Sequence, residues 1–201
     1  MNPSTAGSPW SRQAVVAIWI MLLATSTTGL AQSKGAGPEH VAGENASADL
    51  DSPGPEHQRL QALVGKWKLA IKVRNQPDQE GMTLTGQCEN KMILGGRFLV
   101  SETHSGNGAW AIETITIIGF DRRNKRYTMV VFDTTGTSYG TSAGSYDQSL
   151  NAIVTSREDQ DPGLNSTRKH QFVISFLGPS TYTQRITVDS QLIEMTYTRV
   201  E

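Results

Sequence analysis

Four side-chain types in this chain could do chemistry: imidazoles, carboxylates, a thiol and hydroxyls. An imidazole can ligate a metal or carry a proton near neutral pH. His104 ends the run Phe98-Leu-Val-Ser-Glu-Thr-His and shares its alternation with Phe98, Val100 and Glu102. His170 opens His-Gln-Phe-Val-Ile-Ser-Phe and shares its alternation with Phe172, Ile174 and Phe176. Each therefore stands at a strand end above an apolar face, where it is either a ligand or a half-exposed terminal residue. His57 lies in a helical stretch and reads as a residue that seats that helix. Glu102, Glu113, Asp133 and Glu194 fall on strands. Two of them facing each other inside a barrel could do acid–base work, but nothing in their spacing shows that any two meet, and the plainer reading sets each on a solvated face. The single Cys88 sits among strand-like residues and reads as a small core hydrophobe. One cysteine excludes a disulfide framework and any paired-cysteine zinc or redox site. No Gly-x-Ser-x-Gly elbow, phosphate loop or dinucleotide fingerprint occurs. Arg122, Arg123, Lys125 and Arg126 cluster at a turn, diluted by Asp121, and read as a solvated turn.

The elements that must hold these groups follow from periodicity. The chain has 201 residues, 37% hydrophobic and 18% charged, with a formal net charge of −1. That is an ordinary globular composition, without the broad basic field of a non-specific nucleic-acid binder. Residues 14–24 are an uncharged apolar run after Arg12. The run is shorter than the ~18–20 residues a membrane span requires. Small polar residues and Gly29-Leu30-Ala31 follow it, so residues 1–31 are expected to be a signal peptide cut near Ala31. The chain is then expected to be exported, periplasmic or extracellular, with no membrane span in its mature form. The alternative is a core helix or retained anchor. Residues 32–54 carry no aromatic side chain and only Val41 and Leu50 as larger aliphatics. They read as a disordered linker. Asn45 and Asn165 open glycosylation sequons, which matter only in a eukaryotic secretory path.

A helix is expected over 55–64, started by Pro55, striped by Leu60, Leu63 and Val64 and stopped by Gly65. From Lys66 onward the period is two. Trp67, Leu69, Ile71 and Val73 point one way; Lys66, Lys68 and Lys72 point the other. Further strands are expected at 81–93, 96–104, 109–120, 126–133, 137–146, 151–157, 168–178, 181–189 and 191–200, with 158–167 as the one longer loop. About ten strands with short links make antiparallel hairpins. An up-and-down meander leaves two edges unless it closes. The fold class expected is all-β: an up-and-down barrel of about ten strands, capped by the short helix, over residues 55–201.

Leu63-Val-Gly65-Lys-Trp67, with Arg199 in the last strand, resembles the Gly-x-Trp opening and closing Arg of the calycin superfamily, which includes lipocalins and fatty-acid-binding proteins. In that arrangement Trp67 and Arg199 meet where the first and last strands close the barrel. A closer resemblance spans 54–200. Residues 54–67, Ile93 to Leu99, Ile118 to Asp121, Lys125-Arg-Tyr127 and Gly144-Ser-Tyr-Asp147 resemble bacterial domain-of-unknown-function family 1579. That resemblance implies a calycin-like barrel and frequent export, and it implies no reaction. Relatives often carry Trp before the Asp of the fifth strand, where this chain has Met129-Val-Val-Phe132-Asp133.

With Trp67 facing inward, the cavity candidates are Trp67, Leu69, Phe98, Met129, Phe172, Tyr182, Met195 and Tyr197, joined by Ile71, Val100, Ile174 and Ile186. Such walls suit a small hydrophobic or amphipathic ligand. They equally suit a filled core serving structure or interaction. A third reading is a small isomerase- or cyclase-like barrel enzyme, or a haem barrel held through His104 or His170, as the calycin resemblance implies. No cofactor is otherwise expected.

Overall fold

The computed structural model describes residues 50–76, 80–161 and 166–200. The expected signal peptide, all but the last residues of the expected linker and the two sequon asparagines lie outside them. A short helix α1 (Pro55–Gln61) precedes ten strands: β1 (Gly65–Arg74), β2 (Met82–Ile93), β3 (Phe98–Ser105), β4 (Ile112–Asp121), β5 (Arg126–Asp133), β6 (Tyr139–Asp147), β7 (Ala152–Asp161), β8 (Ser166–Gly178), β9 (Thr181–Val188) and β10 (Gln191–Arg199). Each strand pairs antiparallel with the next, and β1 pairs with β10 to close the barrel. Among the described residues no helix is long and apolar enough to cross a membrane.

Closure fixes which face is inside. Trp67 stands opposite Arg199, and Leu69, Ile71 and Val73 stand opposite Tyr197, Met195 and Ile193. All six of these apolar partners of the seam are buried. The lysines between them stay exposed, which is the period-two division a sheet wrapped round one core demands.

α1 is too short to be stable alone. It is held by its packing against one end of the barrel, where Leu60 and Leu63 are buried. The His57 ring meets Phe120 edge-on, and Tyr127 donates from its hydroxyl to the Glu56 carbonyl at 3.1 Å. The His57 Nδ1 accepts from the Gly54 N–H at 3.0 Å, so this imidazole seats the helix as expected. The helix ends at Gln61, and residues 62–64 form the turn into β1.

One expectation is corrected. The loop placed at 158–167 is largely strand. β7 runs on to Asp161 and β8 begins at Ser166, because Arg157 and Asp159 point inward and pair across from His170 and Arg168. The basic turn at 122–126 is exposed from Arg123 to Arg126, as expected, and makes surface contacts with the segment before α1. Arg123 bonds to the Asp51 carboxylate at 2.7 Å, and Arg122 and Arg97 donate to the carbonyls of Ser52 and Asp51.

Candidate functional site

The barrel interior has two halves. At the helix end it is filled. Trp67 packs edge-on against Tyr182 with ring centres 4.7 Å apart, and Tyr182 stacks on Tyr197 at 4.1 Å. The Trp67 Nε1 donates to the Leu63 carbonyl at 2.9 Å, which ties the plug to the turn after α1. Asn90 is buried beside it. Its amide donates to the Leu63 carbonyl at 2.8 Å and to the Tyr182 hydroxyl at 3.1 Å, while its carbonyl accepts from the Cys88 thiol at 3.0 Å. Cys88 is thus a buried, hydrogen-bonded thiol, and burial pushes it above its ordinary range. Burial also raises the Tyr182 and Tyr197 phenols, so both stay protonated.

Above this plug lies a cavity of about 70 Å³. One wall is apolar: Ile71 and Val73 from β1, Phe172 and Ile174 from β8, Ile186 from β9, Met195 from β10. The facing wall carries five hydroxyls, Ser101, Thr103 and Ser105 from β3 and Thr114 and Thr116 from β4, set among Leu99, Ile112 and Ile118 of the same strands. Asn90, Tyr182, Tyr197 and Gln184 add polar atoms to the lining. The Tyr197 hydroxyl donates to Gln184 Oε1 at 3.1 Å.

At the mouth, away from the helix, a charged group sits inside the barrel. Arg157 on β7 stands directly across from His170 on β8. The Arg157 Nε lies 2.8 Å from Asp159 Oδ2, and the His170 Nε2 lies 3.3 Å from the same oxygen. The His170 ring lies nearly parallel to Phe172 with centres 6.5 Å apart, and the Arg157 guanidinium is 5.8 Å from the Phe172 ring centre. Phe172 therefore joins the charged mouth to the cavity. Burial lowers His170 below its ordinary value, and the Arg157 charge adds to that; Asp159 and Asp189 only partly oppose it. Burial lowers Arg157 as well, against the attraction of Asp159 and Asp133.

Of the residues expected to line a cavity, Phe172, Tyr182, Met195 and Tyr197 do so, and Trp67 forms the plug. Leu69 and Met129 are buried inward but border no open space, being packed into the filled half. Phe98 is a correction. On β3 the inward set is Leu99, Ser101, Thr103 and Ser105, so Phe98 and Val100 face outward. The Phe98 ring covers Gly119 of β4, where an added β carbon would stand 2.6 Å from it. His104 shares that outer face. Its side chain is 69% exposed, 3.6 Å from Glu113, and has no access to the cavity. His170 does face inward, but a 70 Å³ space cannot hold a haem macrocycle beside it. Among the described residues no group of three or more His, Cys, Asp or Glu side chains could hold a metal ion. The strand carboxylates do not pair: Glu194 bonds outside the barrel to Arg74 and Arg185, and Asp133 accepts from Thr135. Sequence reading missed Asn90, Arg157 and Asp159, and the hydroxyl wall.

Over residues 52–199 the chain matches, and belongs to, the family described as "Protein of unknown function (DUF1579)". No curated protein matches it. Solved structures similar to it include a de novo designed fluorescence-activating β-barrel, 12% identical, with a TM-score of 0.41 over 70% of this chain and 96% of that one. A redesigned barrel, mFAP0, solved bound to DFHBI, is 16% identical with a TM-score of 0.39 over 69% of this chain and 100% of that one.

Proposed function

We propose that the barrel binds a small amphipathic molecule, with its apolar part in the cavity above the Trp67–Tyr182–Tyr197 plug. The observation that carries this reading is the division of the cavity lining. Ser101 and Ser105 bond within the protein, to the Cys88 sulfur at 3.1 Å and the Ile112 carbonyl at 3.4 Å, but the five inward hydroxyls together face an apolar wall, and a molecule with two unlike sides uses both. The volume sets the size. About 70 Å³ has room for several water-sized groups and falls below the ~300 Å³ of a drug-sized pocket. The occupant is a short chain, or the narrow tail of a longer amphiphile whose head stays at the mouth. The filled half at the helix end favours a second reading, a structural or interaction barrel without ligand.

Titration with linear alcohols from butan-1-ol to decan-1-ol, followed by amide NMR shifts, separates the two. Affinity should rise about fourfold per methylene, as ~0.8 kcal/mol each implies, and level off once the cavity is full. Thr116→Phe, which fills the hydroxyl wall, should abolish it. Absence of saturable binding, or binding indifferent to Thr116→Phe, overturns the proposal in favour of the filled barrel.

We further propose that the barrel is of the calycin type, supported by the Trp67–Arg199 seam, and that the chain is exported. Protein isolated from its own cells should begin at Gln32 by amino-terminal sequencing; an intact Met1 overturns export with cleavage.

A further inference from the structure

The Arg157 guanidinium is placed unlike a surface arginine. It points into the barrel mouth through space left by Gly140 of β6, where an added β carbon would stand 1.5 Å from Nη1. Its ion pair with Asp159 runs through Nε. Among the described residues, Nη1 and Nη2 make no hydrogen bond, so the outer fork of the group is free. His170, directly opposite, is 91% buried at its side chain, and its Nε2 has no properly aligned partner. The other charged groups of the mouth are engaged. Arg168 lies 3.8 Å from Asp189 across the β8–β9 edge, and Asp133 on β5 accepts from the Thr135 N–H and hydroxyl.

From this geometry we infer that the mouth holds the carboxylate of the amphiphile, between the Arg157 Nη1 and Nη2 atoms and the His170 imidazole, with the chain running past Phe172 into the cavity. The inference rests on the cavity reading above and names the head group that reading leaves open. A planar fork of N–H donors matches a carboxylate bidentately. The buried His170 Nε2 lacks an aligned partner, a cost that a bound acceptor offsets, while the accessible Arg157 Nη1 and Nη2 are free to receive the same group. The field of the site agrees. Burial disfavours positive charge on both Arg157 and His170 despite the nearby carboxylates, so a bound anion would relieve both. Phe172 lies beside both Arg157 and His170 and lines the cavity, giving the chain a continuous apolar path from its head.

The test uses two probes of one chain length, sodium hexanoate and hexan-1-ol, titrated into the whole protein at pH 7. Hexanoate should bind about tenfold more tightly, the scale expected of a charge-assisted contact. Arg157→Gln should bring the two probes to within about twofold of each other. Gly140→Ala should do the same, because its β carbon takes the guanidinium's place. If Arg157→Gln does not fold, the His170 ring resonances of the unaltered protein decide: they should shift with hexanoate and not with hexan-1-ol. Equal affinities, a preference for the alcohol, a preference that survives Arg157→Gln, or a His170 ring indifferent to hexanoate overturns the carboxylate assignment and leaves the cavity reading standing. Failure of both probes to bind overturns the two together.

Discussion

The Arg199 guanidinium lies 4.2 Å from the centre of the Trp67 ring and hydrogen-bonds to three carbonyls of two other elements. Nη1 donates to Val64 at 2.7 Å, Nη2 to Ala62 at 3.3 Å and Nε to Pro179 at 2.8 Å. One side chain thus ties the turn after α1, the β8–β9 hairpin and the closing seam together. Arg199→Ala should cost on the order of 1–3 kcal/mol, through lost stacking and orphaned carbonyls. Gly65 belongs to the same device. Its φ of 136° is outside the range an L side chain adopts readily, and an added β carbon would stand 2.3 Å from Arg199 Nη1. Gly65→Ala should therefore destabilise too, and the double variant should lose less than the sum of the singles. Denaturant midpoints of the three variants measure this; full additivity would show that the two residues act apart.

Asn90 is the polar hub of the filled half. Its amide satisfies the Leu63 carbonyl and the Tyr182 hydroxyl from a side chain that is only 2% exposed. Asn90→Ala should cost about 1–3 kcal/mol, since it leaves buried polar partners behind. Asn90→Asp should cost more. It replaces two donors with an acceptor facing a carbonyl and adds a buried charge. Urea unfolding of both variants tests the order, and a milder aspartate variant would contradict this role.

Stability should fall with acid in a window set by buried histidine. Burial holds His170 below its ordinary value of 6.5 in the folded protein, and His57 in the same direction. Between the lowered folded value and about 6.5 the unfolded chain binds more protons than the native one, so stability rises with pH across that interval and is lost as pH drops through it. The exposed Asp121 and Asp147, lowered by hydrogen bonds within their turns, act separately, below about 3.8. His170→Gln should flatten the dependence between pH 7.5 and 5, read as unfolding free energy by denaturant titration. An unchanged slope would place the acid sensitivity elsewhere.

The barrel was legible because β1 divides its residues cleanly, lysines outside and Trp67, Leu69, Ile71 and Val73 inside. Short turns then force neighbouring strands to pair. On β3 the same rule points the wrong way. Phe98 and Val100 face outward while Ser101 and Thr103 face inward, so the more apolar alternation is not the inner one. The mouth was hidden for a different reason: Arg157 is the last residue of the expected strand and Asp159 reads as loop until the register carries β7 on to Asp161. Glycine opposite a large side chain carries the missing signal. Gly119 under Phe98 and Gly140 under Arg157 mark where those side chains lie, but only once the pairing is known.

Met129 separates the plugged half from the open one. It is 1% exposed on the inward face of β5 and borders no free space, while its neighbour on that face, Val131, lines the cavity. Met129→Ala should cost about 2–5 kcal/mol, because the surrounding core, with Ile118 and Ser142 paired on either side, cannot collapse fully into the gap. The same truncation lengthens the cavity toward the helix end. Longer alcohols should then keep gaining affinity beyond the chain length at which the unaltered barrel levels off. A variant that loses stability without extending that limit would show that the two halves do not communicate.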